Sequence, residues 1–402
     1  MKTVFTPDIS CKHSPILIPG ELIQDPAAIL PMEVSEEARR RGDAFADEIE
    51  EKFIGDFERT EEMAKAIGLP NGDKMVHVST FVHIGNTIYM TYYANTHSDK
   101  EDPNFQVARL AFCPDDNPKN LTILDIQAVG DLCGGKTITL VYDTILAQVD
   151  DDTLMILWAA QADDNYYRLC RTFTLSTHTL GDVVVNRFRV RSQVNDFSTT
   201  GITTALTWNG YGIKKMFSDI GIMQKFTSRM EDGQKWYYTG AYSGDFTCII
   251  KSTDFITWEY VSQPDFPNLS EWENACYILG DKCYYAVRQY TDTPYCFLTA
   301  YDLVKHTWER PVLIPDSQSR CDFIFYQGNL YLFHAPIDRE HIGIVRVDTE
   351  DLSKSKRILE AKMHSSCFYP FIQYYDDGEL AMSYTVNRQH IRLARFTLSK
   401  YI

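Results

Sequence analysis

Ile278-Leu279-Gly280-Asp281-Lys282-Cys283-Tyr284-Tyr285-Ala286-Val287 is a pair of apolar runs folded about a Gly-Asp turn. The unit returns as Phe323 to Tyr326, Gly328-Asn329 and Leu330 to Phe333, and again as Phe371 to Tyr375, Asp377-Gly378 and Leu380 to Tyr384. An earlier turn, Asp232-Gly233, opens the series. The four glycines at 233, 280, 328 and 378 stand 47, 48 and 50 residues apart. Such pairs accept the positive φ of a tight hairpin. Hairpins repeating every ~40–50 residues are the mark of a β-propeller.

Working outward gives an all-β, six-bladed β-propeller forming one domain over residues 1–402, with a helical insertion at 34–68. The first blade runs from His77 through Gly85-Asn86 to Gln127, and the second turns at Asp150 to Asp152. The third has a long Gly/Thr-rich entry, Ser198 to Gly212, which reads as a loop over one face. Five or seven blades also fit the irregular second and third repeats. The last strand, Ile391 to Phe396, needs a partner to hide its edge, and residues 1–33 are the expected source. In the insertion, Ser35 caps acids at Glu36 and Glu37, and Phe45, Ile49, Phe53 and Phe57 follow at helical spacing. Gly42 and Gly55 interrupt that pattern, so two helices are an alternative. The segment packs on the propeller or on a second copy of the chain.

The chain has 402 residues, 44% of them hydrophobic, and a formal net charge of −16. That charge argues against nucleic acid and anionic membranes as partners. The N-terminus shows no signal-peptide core, and no run of about 18 apolar residues exists. The ten cysteines form no Cys-x-x-Cys pair. A cytoplasmic protein with reduced thiols is the expectation. No metal or cofactor motif stands out; His83 and His97 are isolated.

In a propeller every innermost strand starts at one face, and the second strand returns to it. About eight positions before each turn stand His77, Asp143, Gln224 or Lys225, Glu273, Arg320 and Tyr369. The returning strands add Asn95 and His97, Gln161 and Asp163, Tyr242, Arg288, His334, and Asn387 with Arg388. This concentration of charged and protonatable types at one register points to a polar site on the ring axis.

Two further turns, Ser252 to Trp258 and Tyr301 to Trp308, each place an Asp in the bend and a Trp after it. They resemble the degenerate Asp-boxes of sialidase-like propellers. Tyr369-Pro370-Phe371-Ile372-Gln373-Tyr374-Tyr375-Asp376-Asp377-Gly378 resembles the sialidase strand whose nucleophilic Tyr precedes a turn glycine. Glu273 and Arg288, fifteen residues apart, are similar to the sialidase Glu and carboxylate-binding Arg. The resemblance implies that Glu273 polarises Tyr369, that Arg288 and Arg320 clamp a substrate carboxylate, and that Asp99 or Asp102 is the acid/base. His77 stands where that family has its first Arg, and Pro370 and Phe371 replace small residues.

Two reactions suit these groups. Tyr369 can attack an anomeric carbon, with Glu273 taking its proton; tyrosine nucleophiles occur where the sugar is itself anionic. Alternatively His77 or Tyr369 removes the proton alpha to a uronate carboxylate while the arginines stabilise the enolate. The expected activity is therefore exo-acting hydrolysis of an acidic sugar from small oligosaccharides. β-Elimination is the second choice, and a non-catalytic glycan- or protein-binding propeller the third. Asp143, His97, His334 and Arg388 are expected to line the substrate.

Overall fold

The computed structural model describes residues 28–402 except 211–219, 223–224, 244–245, 265–272, 290–294, 318, 337 and 377. Among the described residues, six sheets of four to seven strands stand in chain order. Their innermost strands begin at Met75, Leu140, Gly221, Asn274, Asp322 and Phe368. One apolar cluster fills each gap between neighbours. Phe112, Leu154 and Trp158 join sheets one and two, and Leu157, Phe255 and Trp258 join two and three. Tyr238 with Tyr285, and Leu298 with Phe323, continue the series. Phe333 with Tyr384, and Phe81 with Phe371, complete the circle. The structure is a β-propeller held by sheet-to-sheet burial, the largest favourable contribution available to such a fold.

The hairpins read from the sequence join the first two strands of their sheets. Asp232 and Gly233, at φ 49° and 79°, connect Thr227–Glu231 to Gln234–Ser243. Gln327 and Gly328, at 46° and 81°, do the same in the fifth sheet. The Asp turns are tied as expected. Asp254 Oδ1 accepts from Ile256 N and Thr257 N, and Asp302 Oδ1 from Val304 N and Lys305 N. Trp308 Nε1 donates to Ser262 Oγ of the preceding sheet at 3.0 Å.

Ring closure differs from the expectation. The strand that covers His390–Phe396 is Phe53–Asp56, from within the supposed helical insertion, and not a piece of residues 1–33. Residues 1–27 lie outside the described residues, and Ile29 bridges Leu313 in the fourth sheet. The helix Glu36–Glu51 stops at Lys52, and a shorter one follows at Glu61–Ala66. Phe45 and Ile49 keep their helical role, buried against the last two sheets. Phe53 and Phe57 continue the same spacing but belong to the closing strand and its exit. There Gly55 pairs with Leu393, and Phe57 N donates to Ile391 O at 2.9 Å. An exposed sheet edge offers unpaired backbone groups along its length, which a weak helix containing Gly55 does not outweigh.

The Gly/Thr-rich entry is also not a loop throughout. Thr199–Trp208 is a helix whose cap, Ser198 Oγ, accepts from Gly201 N at 3.0 Å. Ile202, Ala205 and Leu206, at helical spacing, are buried between the second and third sheets. Residues 211–219 lie outside the description.

Candidate active site

Three inner strands carry the same irregularity at their first turn of pleat. In each, a bulge shifts the register, and the residue within it takes a left-handed backbone. These are Val78 (φ 52°), Asp143 (56°) and Tyr369 (53°). Outside turns non-glycine residues seldom adopt this conformation, and bulges re-aim side chains near sites. All three residues border one cavity of about 490 Å³ at this end of the ring. The starts of the fourth and fifth sheets add Glu273 and Arg320. Arg288 comes from the end of the second strand of the fourth sheet, and the chain leaving the second strand adds Glu101, Arg339 and Arg388 in the first, fifth and sixth. Tyr93, Tyr142, Tyr242 and His77 complete the wall.

The centre is a bonded set. Arg288 Nη1 donates to Glu273 Oε2 in a short contact. The Tyr369 hydroxyl hydrogen-bonds both Glu273 and Arg288. Arg320 Nη2 donates to Asp143 Oδ1 at 2.6 Å, its Nε stands 3.8 Å from Glu273, and its guanidinium lies 5.0 Å from the Tyr369 ring centroid. Behind Asp143 the fully buried Arg168 donates to the Asp143 carbonyl at 3.2 Å and lies 3.8 Å from its carboxylate. Burial pushes the Arg168 guanidinium down to about 10.

On the opposite wall Glu101 accepts a short hydrogen bond from the Tyr93 hydroxyl and pairs with Arg388 at 2.8 Å. Arg339 lies over the Phe368 ring at 5.0 Å, and no carboxylate among the described residues pairs with it. Among the described residues the walls hold four guanidiniums against three carboxylates, and Arg168 behind them shares Asp143 with Arg320. Arg339 is the wall guanidinium with no carboxylate partner among those residues.

Burial and the adjoining Glu273 charge raise the Tyr369 phenol. Burial would raise Glu273 too, but Arg288 and Arg320 hold its carboxyl below the ordinary value. His77 is pushed well below 6.5 by burial and by the charges of Arg388, Arg320, Arg339 and Arg288. It is a neutral imidazole 4.4 Å, ring to ring, from Tyr369. Its Nδ1 lies 3.2 Å from the Thr385 hydroxyl, and its Nε2 has no partner among the described residues.

Of the residues singled out in the sequence, Tyr369, Glu273, His77, Arg288, Arg320, Asp143, Tyr242 and Arg388 meet at this cavity. Asp99 and Asp102 do not. Asp99 is exposed, and Asp102 caps the turn Pro103–Phe105 by accepting from Asn104 N. Their neighbour Glu101 is the carboxylate that faces the cavity, because Asn95 holds the loop by donating to the Asp102 carbonyl at 2.7 Å. His97 stacks on Phe105 outside the cavity. His334 is buried against Arg357 in the fifth sheet, 3.2 Å from its Nη2. Lys225 is buried deeper, paired with Asp322 at 2.8 Å, where it ties the third sheet to the fifth and sixth. Gln224 lies outside the described residues. Glu101, Arg339 and Tyr93 were not anticipated. For Glu101 and Arg339 the one signal is position: a charged residue shortly after the second strand, as at Arg388.

No protein-family model and no curated protein matches the sequence. Solved structures do. The NanB sialidase of Streptococcus pneumoniae superimposes with a TM-score of 0.51 at 8% identity, over 87% of this chain and 71% of that one. The leech intramolecular trans-sialidase does so at 0.54 and 8%, over 82% and 69%. The fold is that of a sialidase-like propeller.

Proposed function

We propose that the protein is a glycoside hydrolase that removes a sugar bearing one carboxylate from the end of a small oligosaccharide. The observation that carries this reading is the contact of Tyr369 with Glu273 and Arg288 in a cavity where Arg339 has no carboxylate partner among the described residues. An anionic substituent docks on Arg339 with Arg388 and Arg288 in reach, since charge-assisted bonds to guanidinium are strong and planar. A carboxylate nucleophile would be repelled by such a substrate; a phenol is not.

Tyr369 Oη forms a bond to the anomeric carbon as the glycosidic carbon–oxygen bond breaks. Its proton passes to Glu273, and Glu101, which takes up a proton once Arg388 turns from it to the substrate carboxylate, gives that proton to the departing oxygen. Arg288 and Arg320 stabilise the charge that develops on the phenol oxygen. Water, losing a proton to Glu101, then attacks the anomeric carbon, and Tyr369 recovers its proton from Glu273.

One observation favours a second reading. His77 is a neutral imidazole beside Tyr369 whose Nε2 has no partner among the described residues, and it suits proton abstraction from a uronate. Elimination yields an unsaturated, ultraviolet-absorbing product, and hydrolysis does not. The test is incubation with aryl glycosides of sialic, glucuronic and galacturonic acids and with uronate oligosaccharides. Release of the aryl alcohol, lost in Tyr369→Phe, is the expected result. Neither release nor an unsaturated product from any of them would end both readings.

A further inference from the structure

A second pocket, of about 250 Å³, lies on the far side of the loop that carries Glu101. The loop joins Thr87–Asn95 to Gln106–Pro114. Its middle presents Glu101 to the central cavity, and its two ends present Thr96, His97, Asn104 and Phe105 to the second pocket. Asn95 fixes both ends. Its amide donates to the Asp102 carbonyl, and its carbonyl oxygen accepts from His97 N and Ser98 N, each at 2.8 Å.

The opposite wall is Leu69 to Asn71, with Arg59 and Asp125 below. It is drawn close by Gly72, where a Cβ would meet the Arg59 carbonyl oxygen at 2.7 Å. Among the described residues, and counting the buried Asp73 behind the wall, the two guanidiniums of this pocket are matched by two carboxylates. Arg59 pairs with Asp125 at 2.8 Å, and Arg109 with Asp73 at 2.7 Å. Phe105 is 45% exposed on the rim and is backed by the His97 ring at 4.0 Å. Buried polar atoms remain without a partner among the described residues: Arg59 Nη1 and Gln106 Oε1.

An exposed aromatic face beside planar amide, carboxylate and guanidinium groups with no net charge suits a neutral pyranose. The apolar face of the ring covers the aromatic, and its hydroxyls meet the planar groups. We propose that this pocket is a binding site for a neutral sugar, and that it takes the sugar unit on the leaving-group side of the bond cleaved in the central cavity. The second half of the proposal rests on the functional reading above; the first does not. The acidic sugar goes to the cavity with Arg339, the neutral one to the balanced pocket, and Glu101 stands on the loop between them. The substrate class is then an acidic sugar capping a neutral one.

The test is saturation-transfer NMR on the full chain with lactose, cellobiose and xylobiose, none of which carries a charge. At least one should bind. Its affinity should fall about tenfold or more in Phe105→Ala and in Asn104→Ala, corresponding to ~1.4 kcal/mol, and stay unchanged in Arg339→Gln. Phe105 is half out of the fold, so its loss is tolerated, and the Asn104 variant gives an independent check. No binding by any of the three overturns the site. So does binding that Arg339→Gln abolishes and Phe105→Ala leaves intact, which would put the sugar in the central cavity. Binding without any turnover would keep the pocket and remove the functional reading alone.

Discussion

Asp143 and Tyr369 occupy the same place in two different sheets: each is the left-handed residue of a bulge in an innermost strand, at φ 56° and 53°. Arg320 joins them, paired with the carboxylate of one and lying over the ring of the other. The propeller thus places a charge and a phenol by repeating one backbone device, at a cost of about 1–3 kcal/mol for each.

Tyr369→Phe should keep this backbone, since the ring and its packing are unchanged. The lost hydroxyl bonds Glu273 and Arg288, which still satisfy each other. Thermal stability should therefore change by no more than about 1 kcal/mol, while turnover falls by a factor on the order of a thousand or more. A melting curve and a product assay on the same preparation check both halves. Retained turnover would remove Tyr369 as nucleophile.

Arg339 should govern anion binding more than Arg320 does, although the sequence directs attention to the latter. Arg320 is already matched by Asp143 and Glu273, whereas Arg339 has no carboxylate partner among the described residues. Free sialic, glucuronic or galacturonic acid should raise the melting temperature of the wild-type protein by mass action. Arg339→Gln should lose most of that rise, by about tenfold or more in the concentration needed. An equal response in the variant would place the anion elsewhere.

Asp143 is a buried carboxylate between two buried guanidiniums, Arg168 and Arg320. Asp143→Ala strips both of their counter-charge and should destabilise the fold by about 3–5 kcal/mol. Adding Arg168→Met removes one stranded charge and should recover part of that loss. Chemical denaturation of the two single variants and the double variant gives the coupling directly. Additive losses would mean that Arg168 does not act through Asp143.

Much of this arrangement is legible in the chain, because hairpin turns, alternating aromatics and a repeat near 48 residues are local signals. What fails is a fixed count from turn to bulge. Eight residues back from the first turn gives His77, which lines the cavity, but the left-handed place held by Asp143 and Tyr369 in their sheets belongs here to Val78. The aspartates beside Glu101 were preferred for a similar reason. Spacing alone does not tell which carboxylate a loop turns inward; the Asn95 amide decides it. Arg339 follows its strand by five residues, outside any strand register. The closing strand hid inside a helical pattern, since phenylalanines four apart serve the helix Glu36–Glu51 and then, past Lys52, the sheet edge.

The two buried imidazoles set a pH dependence whose sign can be worked out. His77 is pushed well below 6.5 by burial and by Arg388, Arg320, Arg339 and Arg288. His334 is pushed down by burial and by Arg357. Unfolded, each takes up a proton near about 6.5; folded, each resists it. The unfolded chain therefore binds more protons below that value. The contribution of both groups is fully present above pH about 6.5 and is lost as the pH falls toward their folded values. The slope should approach about 1.4 kcal/mol per pH unit for each imidazole. Glu58 and Asp322, raised by burial, act in the opposite sense at lower pH. The measurement is therefore a difference: stability by denaturant between pH 5 and 8 for the wild type, His77→Gln and His334→Gln. Each variant should flatten the acid limb by one proton. A wild-type profile flat through pH 6, or variants with unchanged slopes, would show that these rings are not held neutral.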